Sequence, residues 1–500
     1  MMIRPKPRLW LWLGALLFLW GCNFPAPANQ HAATPIPPTP TLASVVPTSF
    51  PTPAGTPFPQ RPEYAPGTLV DYRAQDGDTL PAIAAHFNTT VAEIRAANPD
   101  LPKHVTTLPA GMPLKVPIYY APFWGTPFKI LPDALFVNGP AARDFDIRAF
   151  MAHYQDGWLA HYHEYAANAN RDGVDIVMYI ARAYSIDPRL LLALLEYQAG
   201  ALTHPTLPPE QAEYPLGYKD PAHHGLFMQL NYAANLLNNG YYGWRLGALP
   251  LYLLQDGTEV RPDPWQNAAT VALQNYFAQR LPAAMYHQAV SPMGFFRLYA
   301  FLFGDPWQNP PPPHIPPDLH QPPMKLPFPK GEVWLFTGAP HTGWGLGQPF
   351  AALDFAPPGA AHCQVSDKWA VAVADGVVAR SEYATVMLDL DGDGDERTGW
   401  DVLYFHLADE GRVAEGTWLQ TGDFIGHPSC EGGRTTGTHV HVARKYNGEW
   451  IVAYGVIPFD LEGWIPESGG TAYKGVLRRG QGLVIASDQG LATAAIKSER

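Results

Sequence analysis

His439-Val440-His441 lies in the run Gly432-Gly433-Arg434-Thr435-Thr436-Gly437-Thr438-His439-Val440-His441-Val442. The valines favour a strand, and side chains two apart on a strand share a face, about 6.5 to 7 Å apart. One imidazole can then bind a metal while its neighbour moves protons beside it. The bland alternative is a pair of solvent-facing histidines, so the rest of the C-terminal third decides.

Upstream stand Gly338-Ala339-Pro340-His341-Thr342-Gly343-Trp344-Gly345, then Asp354 in Ala352-Leu353-Asp354-Phe355-Ala356, then Leu403-Tyr404-Phe405-His406-Leu407. Here the chain resembles the β-lytic metallopeptidases, relatives of lysostaphin and the LytM peptidases that cut peptidoglycan peptides. The resemblance implies a Zn²⁺ ligand triad of His341, Asp354 and His441. It also implies His439 as general base and His406 as a donor to the tetrahedral intermediate. Two imidazoles and a carboxylate hold zinc with a fourth position left for water, as catalytic rather than structural sites do. Zinc lowers the pKa of such a water to about 7 and polarises the scissile carbonyl. The competing reading is a relative that has lost its metal and only binds wall or activates another hydrolase. Such members lack one or more ligands, whereas all five positions are filled here. The long His341 to Asp354 spacing is that of the β-lytic branch, which favours glycine-containing peptide bonds.

Short apolar runs such as Ala370-Val371-Ala372-Val373 and Gly376-Val377-Val378-Ala379, punctuated by Gly and Asp, indicate an antiparallel all-β fold for this domain, residues 327–467. Residues 468–500 are expected as a C-terminal tail. Inside the domain, Asp389-Leu390-Asp391-Gly392-Asp393-Gly394-Asp395-Glu396 supplies the alternating carboxylates and Gly of a calcium loop. Position twelve is Trp400 rather than the bidentate Glu, so a solvated hairpin turn is the expectation.

Arg4, Lys6 and Arg8 precede an apolar stretch from Leu9 to Trp20, too short to span a bilayer comfortably and suited to a signal peptide, residues 1–22. Leu19-Trp20-Gly21-Cys22 resembles a lipobox, which implies lipidation of Cys22 and a lipoprotein anchored on the bacterial surface. Cys363 and Cys430 are then left as an even pair. Export permits a disulfide between them, and two reduced buried thiols are the alternative.

A formal charge of −12 excludes a nucleic-acid partner, which needs basic surface to displace counterions. Wall polymers are often anionic too, so attachment should rest on specific glycan contacts. The 54 prolines concentrate in linkers and divide the chain. Residues 23–67 are a Pro/Thr-rich stalk, extended at about 3.1 Å per residue in polyproline II, and 309–326 are a second Pro-rich linker.

After the stalk, Tyr72-Arg73-Ala74-Gln75-Asp76-Gly77-Asp78-Thr79-Leu80, two amphipathic stretches, Leu108-Pro109-Ala110-Gly111 and the closing Met112 to Pro117 resemble a LysM domain, residues 68–118. The resemblance implies a small α+β fold that binds N-acetylglucosamine-containing glycans through Gly77, Asp78, Thr79, Asn98 and Pro99. Asp78 and Thr79 are also suited to capping the first helix.

Residues 140–308 read as mostly α-helical. Ser185-Ile186-Asp187-Pro188 starts a helix, and Leu190 to Leu195 is apolar on nearly every side. Glu196 and Gly225-Leu226-Phe227-Met228-Gln229 resemble lytic transglycosylase motifs, although Tyr197-Gln198 stands where Ser is expected and Phe227 interrupts the second. The resemblance implies a lysozyme-like domain with Glu196 as a possible second catalytic acid, or one that binds or spaces. The whole chain then reads as a lipid-anchored zinc endopeptidase acting on peptidoglycan cross-bridges or stem peptides.

Overall fold

Seven-residue helices are too short to persist alone in water, so the first block must be held by its core. In the computed structural model, which describes residues 62–119, 125–359, 363–433 and 435–499, strands β1 (Thr68–Arg73) and β2 (Pro113–Ile118) pair antiparallel around helices α1 (Leu80–His86) and α2 (Val91–Ala97). Val70, Tyr72, Ile83, Phe87, Ile94 and Val116 form the core between them. Thr79 caps α1 by accepting from Ala82 N–H, and Thr90 with Glu93 forms a capping box on α2. The signal segment, Cys22 and most of the first linker lie outside the described residues.

The helical block is built on α3 (Gly173–Tyr184), α4 (Pro188–Ala199), α5 (Leu226–Arg245), α6 (Ala268–Arg280) and α7 (Phe295–Phe303). Leu190 to Leu195 are buried without exception, which makes α4 the axis of this block. Asp187 caps it by accepting from Arg189 N–H, and Gly200 ends it at φ +63°, a conformation that costs a residue without Cβ nothing.

In the C-terminal block, β3 (Val333–His341), β4 (Ala352–Ala356), β5 (Gly376–Glu382), β6 (Thr385–Asp389), β7 (Trp400–Phe405), β8 (Trp418–Leu419), β9 (Val440–Tyr446) and β10 (Glu449–Trp450) share one sheet with the late strand Ala495–Lys497. Its order is β8-β5-β6-β7-β9-β4-β3 and then Ala495–Lys497, with β10 paired to β9. Residues 468–500, expected as a tail, are thus part of the domain: besides that edge strand, Gly475–Arg479 and Gly482–Ile485 build a small sheet with Ile465–Ser468.

Strand alternation sorts the sheet's two faces. Leu353, Phe355, Val402, Tyr404, Val440 and Val442 form the domain's own core, whereas Ala352, Met387, Leu403 and Ala443 join the core of the helical block. Asp354 and His441 are on the second of these faces by the same alternation. The sheet therefore presents its candidate chemistry on the side where the helices dock. Among the described residues no helix is long and apolar enough to cross a membrane.

Candidate metal centre

Three adjacent strands bring the ligand candidates to one point. Asp354 on β4 is paired with His441 on β9 and with Gly338 on β3, and His341 ends β3. His341 Nε2 lies 3.1 Å from His441 Nδ1, and Asp354 Oδ1 lies 3.2 Å from each. All three side chains are buried.

The outer ring nitrogens fix the tautomers, because a backbone carbonyl can only accept. His341 Nδ1–H donates to Ala339 O at 2.8 Å, and His441 Nε2–H donates to Gly343 O at 3.0 Å. The two inward nitrogens are therefore bare lone pairs, facing a carboxylate oxygen that has no hydrogen-bond partner. Three acceptors held within 3.2 Å and sealed from water call for a cation. Carbonyl-anchored imidazoles are also how metal-ligating histidines are usually oriented. Burial would raise the Asp354 carboxyl, but the His341, His439 and His441 imidazoles gathered on it hold it well below the ordinary carboxylate range. The residues thus fit a Zn²⁺ ion bound by two imidazoles and one carboxylate.

His439 lies just outside this triangle, its Nε2 3.6 Å from Asp354 Oδ1. Its Nδ1–H donates to Gly437 O at 2.9 Å, leaving Nε2 free to accept a proton. His406 follows β7 at φ +64°, a backbone conformation rare for non-glycine residues, held by Ser429 N–H on its carbonyl. Its ring lies 4.6 Å from that of His439, and its Nδ1–H donates to Glu431 O. Burial above all, with the His439 and His441 rings close by, pushes its pKa down to about 3. The ring is therefore neutral with Nε2 bare, and it becomes the expected Nε2–H donor only on taking a second proton.

The loop between His341 and Asp354 accounts for their long spacing, because it reaches the helical block. Leu346 N–H donates to Asn235 Oδ1 and Gln348 N–H to Asn239 Oδ1, both on α5, while Trp344 packs on Phe405. Cys363 and Cys430 are disulfide-bonded with Cα atoms 5.1 Å apart, tying the loop after Asp354 to the segment leading to His439. Sequence reasoning missed Tyr473, whose ring stacks on His341 at 4.2 Å. It comes from the C-terminal segment, where no motif marks it.

The other candidates stand apart from this centre. Glu196 is buried; its Oε2 accepts from Leu202 N–H and Thr203 N–H and its Oε1 from the Thr203 hydroxyl, so its carboxylate braces the turn after α4. Asp78 is buried, accepts from Tyr72 OH and Gln75 N–H, and is pushed up to about 6 by burial. Thr79, not Asp78, caps α1. Gly77 is covered by Arg245, whose guanidinium would meet an added Cβ at 2.6 Å. Asn98 holds Lys115 N–H and the Ile94 and Lys115 carbonyls, and Pro99 beside it is exposed.

Two family models match the chain: "LysM domain" over residues 72–117 and "LasA, N-terminal domain" over residues 129–318. Protease LasA of Pseudomonas aeruginosa is 27% identical over 349 residues, covering 65% of this chain and 75% of LasA. Beta-lytic metalloendopeptidase of Achromobacter lyticus is 28% identical over 158 residues, covering 30% of this chain and 39% of that protein. Among solved structures, the metalloprotease pseudoalterin shares 23% identity and a TM-score of 0.28 over 33% of this chain and 94% of its own. The helical region is thus similar to the N-terminal domain of a LasA protease, and a lysozyme-like fold for it has no such support. With the His-Asp-His centre between β3, β4 and β9, the likenesses to LasA and the β-lytic enzymes support a LytM-type zinc metalloendopeptidase that carries a LysM module.

Proposed function

We propose that this chain hydrolyses peptide bonds in the cross-bridges or stem peptides of peptidoglycan, held at the bacterial surface by a lipid on Cys22 and on glycan by its LysM module. The observation that carries the catalytic part is the triangle of inward acceptors, His341 Nε2, Asp354 Oδ1 and His441 Nδ1. Zinc, when bound there, supplies Lewis acidity and makes water acidic enough to attack an amide at neutral pH. His439 Nε2 is placed to take the proton from the attacking water, and the Gly437 carbonyl keeps that nitrogen free to do so. His406 is placed beside it, its ring 4.6 Å from that of His439, at the position the family resemblance gives to a group that stabilises the tetrahedral intermediate.

Glycan contact falls to the open side of the LysM module around Pro99, since Gly77 and Asp78 are enclosed against the helical block. The LysM match and the peptidase relatives support a wall substrate. The proposed anchor lies outside the described residues and rests on the Leu19 to Cys22 motif alone.

Digestion of purified peptidoglycan by the zinc-loaded chain, with Cys22 removed, tests the reading. Mass spectrometry should reveal new peptide amino termini that disappear with His441→Ala. Wall binding with no release by either protein would instead support the silent-activator reading. Sugar ends released equally by both would move the chemistry to the glycan and to Glu196.

A further inference from the structure

A second group of carboxylates lies at the opposite end of the same strands. Asp389 ends β6 and Asp401 is the second residue of β7, and the two are directly paired across the hairpin. Directly opposed residues of an antiparallel pair project to the same face, with Cβ atoms about 4.5–5.5 Å apart. Asp389 turns its carboxylate into the loop, Oδ1 accepting from Asp391 N–H at 3.0 Å and Oδ2 from Gly394 N–H at 2.8 Å. Asp391 and Asp393 bring their carboxylates to it, one oxygen of each of the three within 4.8 Å of the others.

Asp401 is the observation that turns an acidic cluster into a site. It is fully buried, and neither of its carboxylate oxygens has a hydrogen-bond partner. Lys445, its neighbour on β9, sends Nζ to Glu396 and to the Arg182 carbonyl instead. Glu396 is further held by Arg380, and Asp395 by Arg143 and Arg397. These cations serve positions 395 and 396, and of them only Arg143 also reaches the cluster, its Nη2 3.5 Å from Asp393 Oδ2. A buried carboxylate facing other carboxylates with no donor is costly unless a cation joins it. Burial in fact pushes Asp389 up to about 6 and Asp401 well above the ordinary range, the acidic neighbours adding to each.

We propose that Asp389, Asp391, Asp393 and Asp401 bind a calcium ion, with Asp401 closing the site in place of the acidic residue that calcium loops carry at position twelve. The donor set is oxygen alone, which suits a hard cation and not zinc, and the loop leaves room for water in a six- to eight-coordinate shell. Gly394 at φ +79° makes the turn between the third carboxylate and the rest of the loop. The site would brace the β6–β7 hairpin, whose second strand leads directly to His406. It would also brace the seam with the helical block, where Arg143 meets Asp393 and Asp395, and Arg397 donates to the Ala142 and Arg143 carbonyls.

The test uses the zinc-loaded chain, stripped of calcium on a chelating resin with stoichiometric zinc restored. Calcium should raise Tm saturably by several degrees, and Tb³⁺ should luminesce on excitation of tryptophan, since Trp418 packs on Gly392 of this loop. Calcium should quench that signal by displacement. Asp391→Asn, an exposed change that leaves the strands intact, should abolish both responses. Asp401→Asn should do the same while leaving calcium-free Tm equal or higher, because it removes an unpaired buried charge. A merely structural Asp401 would lower Tm in both conditions and leave the Tb³⁺ signal in place. Absence of any calcium effect, or one that persists in Asp391→Asn, overturns the proposal whether or not Asp401→Asn folds.

Discussion

At the scale of single residues, five histidine and aspartate side chains divide into those that must hold a metal and those that work beside it. The division follows from where each free atom lies: those of His341, Asp354 and His441 converge within 3.2 Å, whereas His439 Nε2 is 3.6 Å from Asp354 Oδ1. His441 and Asp354 contribute inward lone pairs to the triangle, so His441→Ala or Asp354→Ala should lose bound zinc, read as less than about a tenth of the wild-type content by elemental analysis. His439→Ala removes a proton acceptor outside the triangle. It should keep zinc near stoichiometric and lower kcat by roughly 10²- to 10⁴-fold with a much smaller change in KM. Equal zinc loss in His439→Ala and His441→Ala would sink that division. Tyr473 stacks its ring on that of His341, so its effect should resemble that of other groups that orient a ligand, and Tyr473→Ala should weaken zinc affinity by about 10- to 100-fold in a chelator competition.

At the scale of elements, what matters is how closely the strands and loops that carry these residues approach. Gly338 on β3 faces Asp354, and a Cβ there would meet Asp354 Oδ2 at 2.3 Å and Cγ at 2.8 Å. Gly338→Ala should therefore displace the carboxylate and cut zinc content while leaving the far-ultraviolet circular dichroism unchanged. The disulfide closes a sequence separation of 67 residues, so reducing it, or changing both cysteines to serine, should destabilise the domain by about 4 kcal/mol in the chain-entropy picture, checked by denaturant titration. The grouping of His341, Asp354 and His441 was legible through the family's motifs, because metal chemistry tolerates few residue types, and the alternating Val440 and Val442 marked β9 as a strand. The helix at Pro188 was legible from its cap. Tyr473 and the edge strand Ala495–Lys497 were not, because a stacking ring and a three-residue strand acquire meaning only from partners more than 100 residues away. Glu196 was ambiguous for a related reason: a carboxylate after a buried helix looks the same in sequence whether it faces a cleft or braces the next turn, as its bonds to Leu202 and Thr203 do here.

At the scale of the whole molecule, proline linkers divide the sequence into modules, yet the second linker acts as a clasp. His314, between the helical and peptidase blocks in sequence, places Nδ1 2.6 Å from Asp76 of the LysM module and Nε2 2.7 Å from Glu449 of the peptidase domain. Arg245 of α5 reaches the same Glu449 at 2.9 Å. Burial alone would lower the His314 pKa, but the Asp76 and Glu449 carboxylates raise it from an ordinary 6.5 to about 10. Burial would likewise raise Asp76, and the His314 charge brings it instead from 3.8 to about 2. The signs set the window. A raised histidine contributes its stability fully below the unfolded value near 6.5 and loses it as pH climbs through about 10, whereas a depressed carboxylate contributes above about 3.8 and loses it as pH falls through about 2. Docking of the three blocks should therefore be firmest between about pH 4 and 6.5 and loosen steadily toward pH 10. Thermal melts across that range, beside limited proteolysis of the linker around Pro310 to Pro313, read this directly. His314→Gln should melt lower at pH 6 and lose most of the alkaline slope, converging with the wild type near pH 10; parallel slopes in the two proteins would mean that His314 is not what holds the blocks together.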